Sequence, residues 1–76
     1  MTIDASLIVH SDPAILGGMP VFVGTRVPAE VLFDWLKAGD RLEHFLANFP
    51  SVSLEQAQAA IDLARDALLA SVRTPR

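Results

Sequence analysis

The hydrophobic pattern changes period along the chain. Residues 1–6 hold no sustained apolar run and read as a frayed end. Leu7-Ile8-Val9-His10 is a short run suited to an edge strand. Ser11-Asp12-Pro13 ends it, because an Asp side chain bonds its own backbone two residues on and Pro presets φ. Ile15-Leu16 reads as a further extended piece, and Val21-Phe22-Val23 as a second strand able to pair with residues 7–10. A two-stranded ribbon is marginal alone, so it must pack on helices or on another subunit.

From Pro28 onward the period is helical. Val31, Leu32, Trp35 and Leu36 form one stripe, broadened by Phe33, in a helix from Pro28 to about Ala38. Pro28 suits the first helical position, Glu30 suits the positive end of the helix dipole, and Gly39 suits a left-handed stop. Asp40-Arg41-Leu42-Glu43 has the shape of a capping box and predicts a second, shorter helix capped by Asp40. Its face is Leu42, Phe45, Leu46 and Phe49, and Pro50 closes it. Ser53-Leu54-Glu55-Gln56 is another capping box, opening the longest helix, to about Val72. Leu54, Ala57, Ile61, Ala64, Leu68 and Val72 make its stripe, thickened by Leu63, Ala67, Leu69 and Ala70. Residues 73–76 are a polar tail.

These elements predict one domain over residues 1–76 with frayed ends at 1–6 and 73–76. It is mainly α with a small N-terminal β ribbon, a three-helix bundle of helix-turn-helix-like type, homeodomain-like or winged-helix-like. The joint between ribbon and helices is Ile15–Pro28, which holds three of the four glycines and two of the five prolines. Gly17, Gly18 and Gly24 mark turns that need positive φ.

Composition sharpens this picture. A domain of 76 residues buries only about 60% of its unfolded surface and is marginal alone. The chain has no cysteine, so no disulfide staples it, which fits a reducing, cytoplasmic setting. Its two histidines, His10 and His44, are far apart and predict no metal site. At 51% hydrophobic, it has apolar side chains to spare for an interface, and a homodimer with Phe33 and the Leu63–Leu69 surface as its contacts is expected. No run approaches the roughly 20 apolar residues of a membrane span, and the N-terminus lacks the basic region of a secretion signal. The net charge of −3 opposes a strong grip on nucleic acid and suits a basic protein partner.

Candidate chemistry is sparse. The serines have no neighbouring histidine as base, the carboxylates read as caps or solvated faces, and neither catalysis nor a cofactor is expected. Gly17-Gly18 and Gly24-Thr25 lack the spacing of a phosphate loop. Arg26 has two readings: a brace for its own loop with Asp12 as partner, which is preferred, or a contact with a partner or phosphate. In a DNA-binding reading the third helix would present Leu54, Glu55, Gln56 and Gln58, with Arg26, Arg41 and Gln56 as candidate contacts. That helix has no Lys or Arg before Arg65, so the chain alone is expected to bind DNA weakly. The spare apolar length of the third helix makes Leu63, Arg65, Leu68, Leu69, Val72 and Arg73 the candidate partner-binding residues.

The order Asp12-Pro13, Gly17-Gly18, Pro20-Val21, Gly24-Thr25-Arg26-Val27, an amphipathic helix ending at Gly39, then Phe49-Pro50, resembles the bacterial family called domain of unknown function 433. The resemblance runs from about Leu7 to Ala64 and rests on Gly17, Gly18, Pro20, Gly24, Thr25 and Arg26. It implies an antitoxin-like, VapB-type protein with a helix-turn-helix-like fold, encoded beside a PIN-like nuclease toxin. It also implies neutralisation by stoichiometric masking, with autoregulatory DNA binding as a complex. One departure is Met19, where the family often has lysine after the glycine pair. The alternatives are a helix-turn-helix transcriptional regulator and a structural or oligomerising domain.

Overall fold

The computed structural model describes residues 4–73, in which a two-stranded antiparallel sheet precedes three helices. Of the ends read as frayed, residues 1–3 and 74–76 lie outside the described residues. Asp4 accepts the Ser6 N–H at 3.0 Å and the Ser6 hydroxyl at 2.7 Å, capping a 3-10 turn at Ala5–Leu7. These two bonds, the hydroxyl's first, hold the Asp4 carboxyl below its ordinary range.

The strands are β1, Val9–His10, and β2, Val21–Phe22, with Val9 opposite Phe22 and His10 opposite Val21. Leu7 belongs to the turn before β1, and the Val23 N–H continues the ladder to the Ile8 carbonyl at 2.9 Å. β2 is paired on its other side too: Val21 bridges Pro28, and the Phe22 N–H reaches the Val27 carbonyl at 3.0 Å. Flanked on both edges, Val21 and Phe22 are wholly buried.

Ile15-Leu16 does not continue as an extended piece. Leu16 has φ +50° and opens a 3-10 turn, Leu16–Gly18, in which Gly17 and Gly18 also have positive φ. The cause is the reversal that antiparallel strands demand between His10 and Val21. Asp12 and Ile15 supply its carbonyls, to Ile15 N–H at 2.8 Å and Gly18 N–H at 3.0 Å, and the Ser11 hydroxyl donates to the Gly18 carbonyl.

The turn after β2 is closed by the Thr25 N–H to the Phe22 carbonyl at 3.0 Å, with Gly24 at φ +79°. A Cβ on Gly24 would meet nothing within 4 Å, so the cost of a side chain there is backbone strain alone. Gly24→Val is expected to cost roughly 1–3 kcal/mol. That lowers Tm by at least about 4 °C by thermal circular dichroism, and an unchanged Tm would show that the turn has no need of glycine.

Helix α1 is Ala29–Lys37. Pro28 is its N-cap rather than its first residue, with ψ 135°, because it is still paired with Val21. Gly39, at φ +92°, ends the helix in a Schellman motif: its N–H donates to the Leu36 carbonyl and the Asp40 N–H to the Trp35 carbonyl, each at 3.0 Å. Asp40 gives its backbone N–H to this motif and does not cap the next helix, because its side chain is turned to His44. Helix α2, Leu42–Asn48, has Arg41 as its N-cap, without a side-chain cap bond. Asp40 Oδ1 instead lies 3.2 Å from His44 Nδ1, and Glu43 pairs with Arg41 at 3.2 Å.

Helix α3, Leu54–Arg73, opens as its capping box predicts: the Ser53 N–H donates to Gln56 Oε1 and the Gln56 N–H to the Ser53 hydroxyl, both at 3.0 Å. The core is Phe22, Leu32, Phe45, Val52, Ala57 and Ala60, to which every element from β2 onward contributes. Trp35 covers one side, edge-on to Phe45 and Phe49. Among the described residues, no helix is long and apolar enough to cross a membrane.

Candidate functional site

Two surfaces stand out, one on α3 and one beside the Gly24 turn. The α3 stripe divides in two. Ala57 is buried and Ile61 half-buried, with Ala60 buried beside them, whereas Leu54 at the start of the stripe and Ala64, Leu68 and Val72 beyond are exposed. Twenty residues of helix span about 30 Å, and the body supports only the first half. From Ala64 to Arg73 every residue but the half-buried Leu69 is exposed, Leu68 at 65% and Val72 at 76%. Of the candidate partner-binding residues, Leu63 is half-buried and Arg65 pairs with its neighbour Asp66 at 3.2 Å. Arg73 is the last residue of the helix.

The second surface is an open concavity lined by His10, Ile15, Gly24, Arg26, Val27 and Ser51. Thr25 is its foundation. Thr25 is buried, its hydroxyl donates to the Phe22 carbonyl at 2.9 Å, and its Oγ1 accepts the Val27 N–H at 3.0 Å. The residues on both sides of Arg26 are thereby fixed while Arg26 itself is exposed. The expected brace to Asp12 is absent: Asp12 Oδ1 accepts the Ala14 N–H at 2.9 Å, and no partner of the Arg26 guanidinium occurs among the described residues. Gly17, Gly18 and Pro20 belong to the connection leading into β2 and do not line this concavity.

The three candidate DNA contacts are not brought together as one free surface. Gln56 holds Ser53 through Oε1, and its Nε2 donates to the Val23 carbonyl at 2.8 Å, tying the start of α3 to the Gly24 turn. Both ends of its amide are therefore occupied. Arg41 pairs with Glu43, whose carboxyl is held below its ordinary range first by its own backbone N–H and then by Arg41. Two residues of the concavity escaped the sequence reading, His10 and Ser51. Their signal was only positional: one ends β1 and the other follows the Pro50 stop.

The match to known proteins agrees with this anatomy. The chain belongs to the family described as "Protein of unknown function (DUF433)", which matches residues 9–64. The match spans the sheet, α1, α2 and the supported half of α3, and ends at Ala64, where α3 leaves the body. The chain is also 43% identical over 53 residues to "Uncharacterized protein y4eO" of Sinorhizobium fredii (strain NBRC 101917 / NGR234). That alignment takes in 70% of this chain and 24% of the relative, so the chain spans about a quarter of the relative's length. No solved structure matches.

Proposed function

We propose that this chain is a non-catalytic, antitoxin-like binding protein that neutralises a PIN-like ribonuclease by covering it with the free end of α3. The observation that carries the reading is the exposure of Leu68 and Val72, 65% and 76%, on an apolar stripe that continues the core face beyond the body. Burying side chains of this size contributes about 1.5–3 kcal/mol each, and an amphipathic helix laid in a groove is a common way to do so. The class of partner comes from the family resemblance, and the net charge of −3 suits the basic surface a nuclease presents to RNA. Helices α2 and α3, joined through residues 49–53, are read as helix-turn-helix-like. DNA binding is assigned to the complex rather than the free chain, because the amide of Gln56 is occupied.

A second reading, self-association through the same face, is favoured by spacing. Ala64, Leu68 and Val72, exposed four residues apart, form an apolar strip that the same strip of a second copy would cover. One double variant tests the first reading. Leu68→Glu with Val72→Glu is expected to leave the circular dichroism spectrum intact, since both positions are exposed, and to abolish protection of cells co-expressing the nuclease encoded alongside. Protection equal to wild type would remove α3 as the inhibitory element. Sedimentation of the wild-type chain alone decides the second, with a monomer mass at high micromolar concentration excluding it.

A further inference from the structure

We infer that the concavity beside the Gly24 turn is a carboxylate-binding site, in which Arg26 receives an acidic side chain presented by another protein. Three observations carry this. Arg26 is exposed, and among the described residues its guanidinium has no partner, the Asp12 carboxylate being turned to its own loop instead. An unpaired guanidinium keeps its planar fork of donors free, which matches a carboxylate two-point. Its backbone is also held in place from below. The Thr25 hydroxyl grips Phe22 and Val27, and the Val27 carbonyl accepts the Phe22 N–H. The charge is therefore presented from a fixed base, which reduces the ordering cost of binding.

The lining selects among anions. Ile15 and Val27, both half-buried, offer apolar surface beside the cation, and His10 and Ser51 add polar groups. A carboxylate carried on methylenes fits charge and wall together. A phosphate dianion calls for more positive charge, and no second Lys or Arg lines the concavity. The concavity is open, which suits the end of a side chain standing on a larger surface. The inference is independent of α3 and of the nuclease reading, since it concerns a different face of the molecule.

The test is a titration of the isolated chain, followed by 15N–1H NMR, with a capped glutamate whose only ionisable group is its side-chain carboxylate. Sodium chloride at matched ionic strength is the control, and inorganic phosphate the competing anion. Saturable shifts are expected at His10, Gly24 to Val27 and Ser51, and to be smaller with phosphate. Arg26→Gln should weaken binding about fivefold, the loss of one exposed ion pair, with the rest of the spectrum unmoved. Arg26→Lys should fall between them, because an ammonium cannot make the two-point contact. Shifts that do not saturate, that survive Arg26→Gln, or that are larger with phosphate would overturn the inference.

Discussion

Phe45→Ala should remove most of the stability of the fold. The Phe45 ring is 0% exposed, its centroid lies 4.9 Å from that of Phe49 and 6.1 Å from that of Trp35, and it shares the core with Phe22 and Leu32. Through it α2 joins α1, and around it the sheet and α3 close. Truncating a buried Phe to Ala costs about 3–5 kcal/mol. A domain of 76 residues with no disulfide starts near the lower end of the usual stability range, about 5 kcal/mol. The substitution therefore removes most of the total. Thermal circular dichroism should show Tm lowered by more than about 12 °C, or no cooperative transition. Phe33→Ala is the matched control: Phe33 is on the adjacent helix at 37% exposure and outside the core cluster, and it should shift Tm by only a few degrees. Similar small shifts for both would mean that the core is not organised around Phe45.

The contrast between these two phenylalanines was partly legible in the sequence. Phe45 lies on the Leu42–Phe49 face and Phe33 off the centre of its stripe, and periodicity alone places them so. Short-range chemistry was equally legible where one signal acted alone. Gly39 ends α1 in the left-handed conformation, Ser53 and Gln56 close their box, and Asp12 bonds the Ala14 N–H. Readings went astray where two local signals competed for one residue. The Asp40 side chain faces both the α2 N-terminus and His44 one turn on, and with the carboxylate at His44 the N-cap position falls to Arg41. Pro28 fits the first helical position, but its bridge to Val21 keeps it extended. Leu16 is apolar beside Ile15, yet the reversal between β1 and β2 forces it to φ +50°. Long-range pairings left no local trace. Nothing near Gln56 announces that its Nε2 will meet the Val23 carbonyl 33 residues away. A stripe also says nothing of how far the body beneath it reaches, which is why Ala57 and Val72 look equivalent in sequence and differ completely in burial.

That last difference sets up the strongest functional expectation. A chain stopped after Leu63 should fold and fail to protect. The residues removed bury little: from Ala64 to Arg73 only Leu69 is even half-buried, and none belongs to the core cluster. What anchors α3 remains, namely the capping box at Ser53 and Gln56, the Gln56 bond to Val23, and the burial of Ala57 and Ala60. The shortened helix keeps ten residues, Leu54 to Leu63, too few to be stable alone and sufficient when packed on a core. Removing exposed residues of this kind changes stability by about 1 kcal/mol or less. The truncated chain should therefore keep its cooperative transition within a few degrees of the full chain. On the proposed function, cells co-expressing a PIN-like nuclease should lose protection, because the exposed Leu68 and Val72 have gone. The two readouts separate the explanations. A truncated chain that neither folds nor protects would show that the end of α3 supports the body. One that folds and still protects would move the inhibitory surface to the Ile15–Pro28 loop, where Arg26 stands unpaired among the described residues.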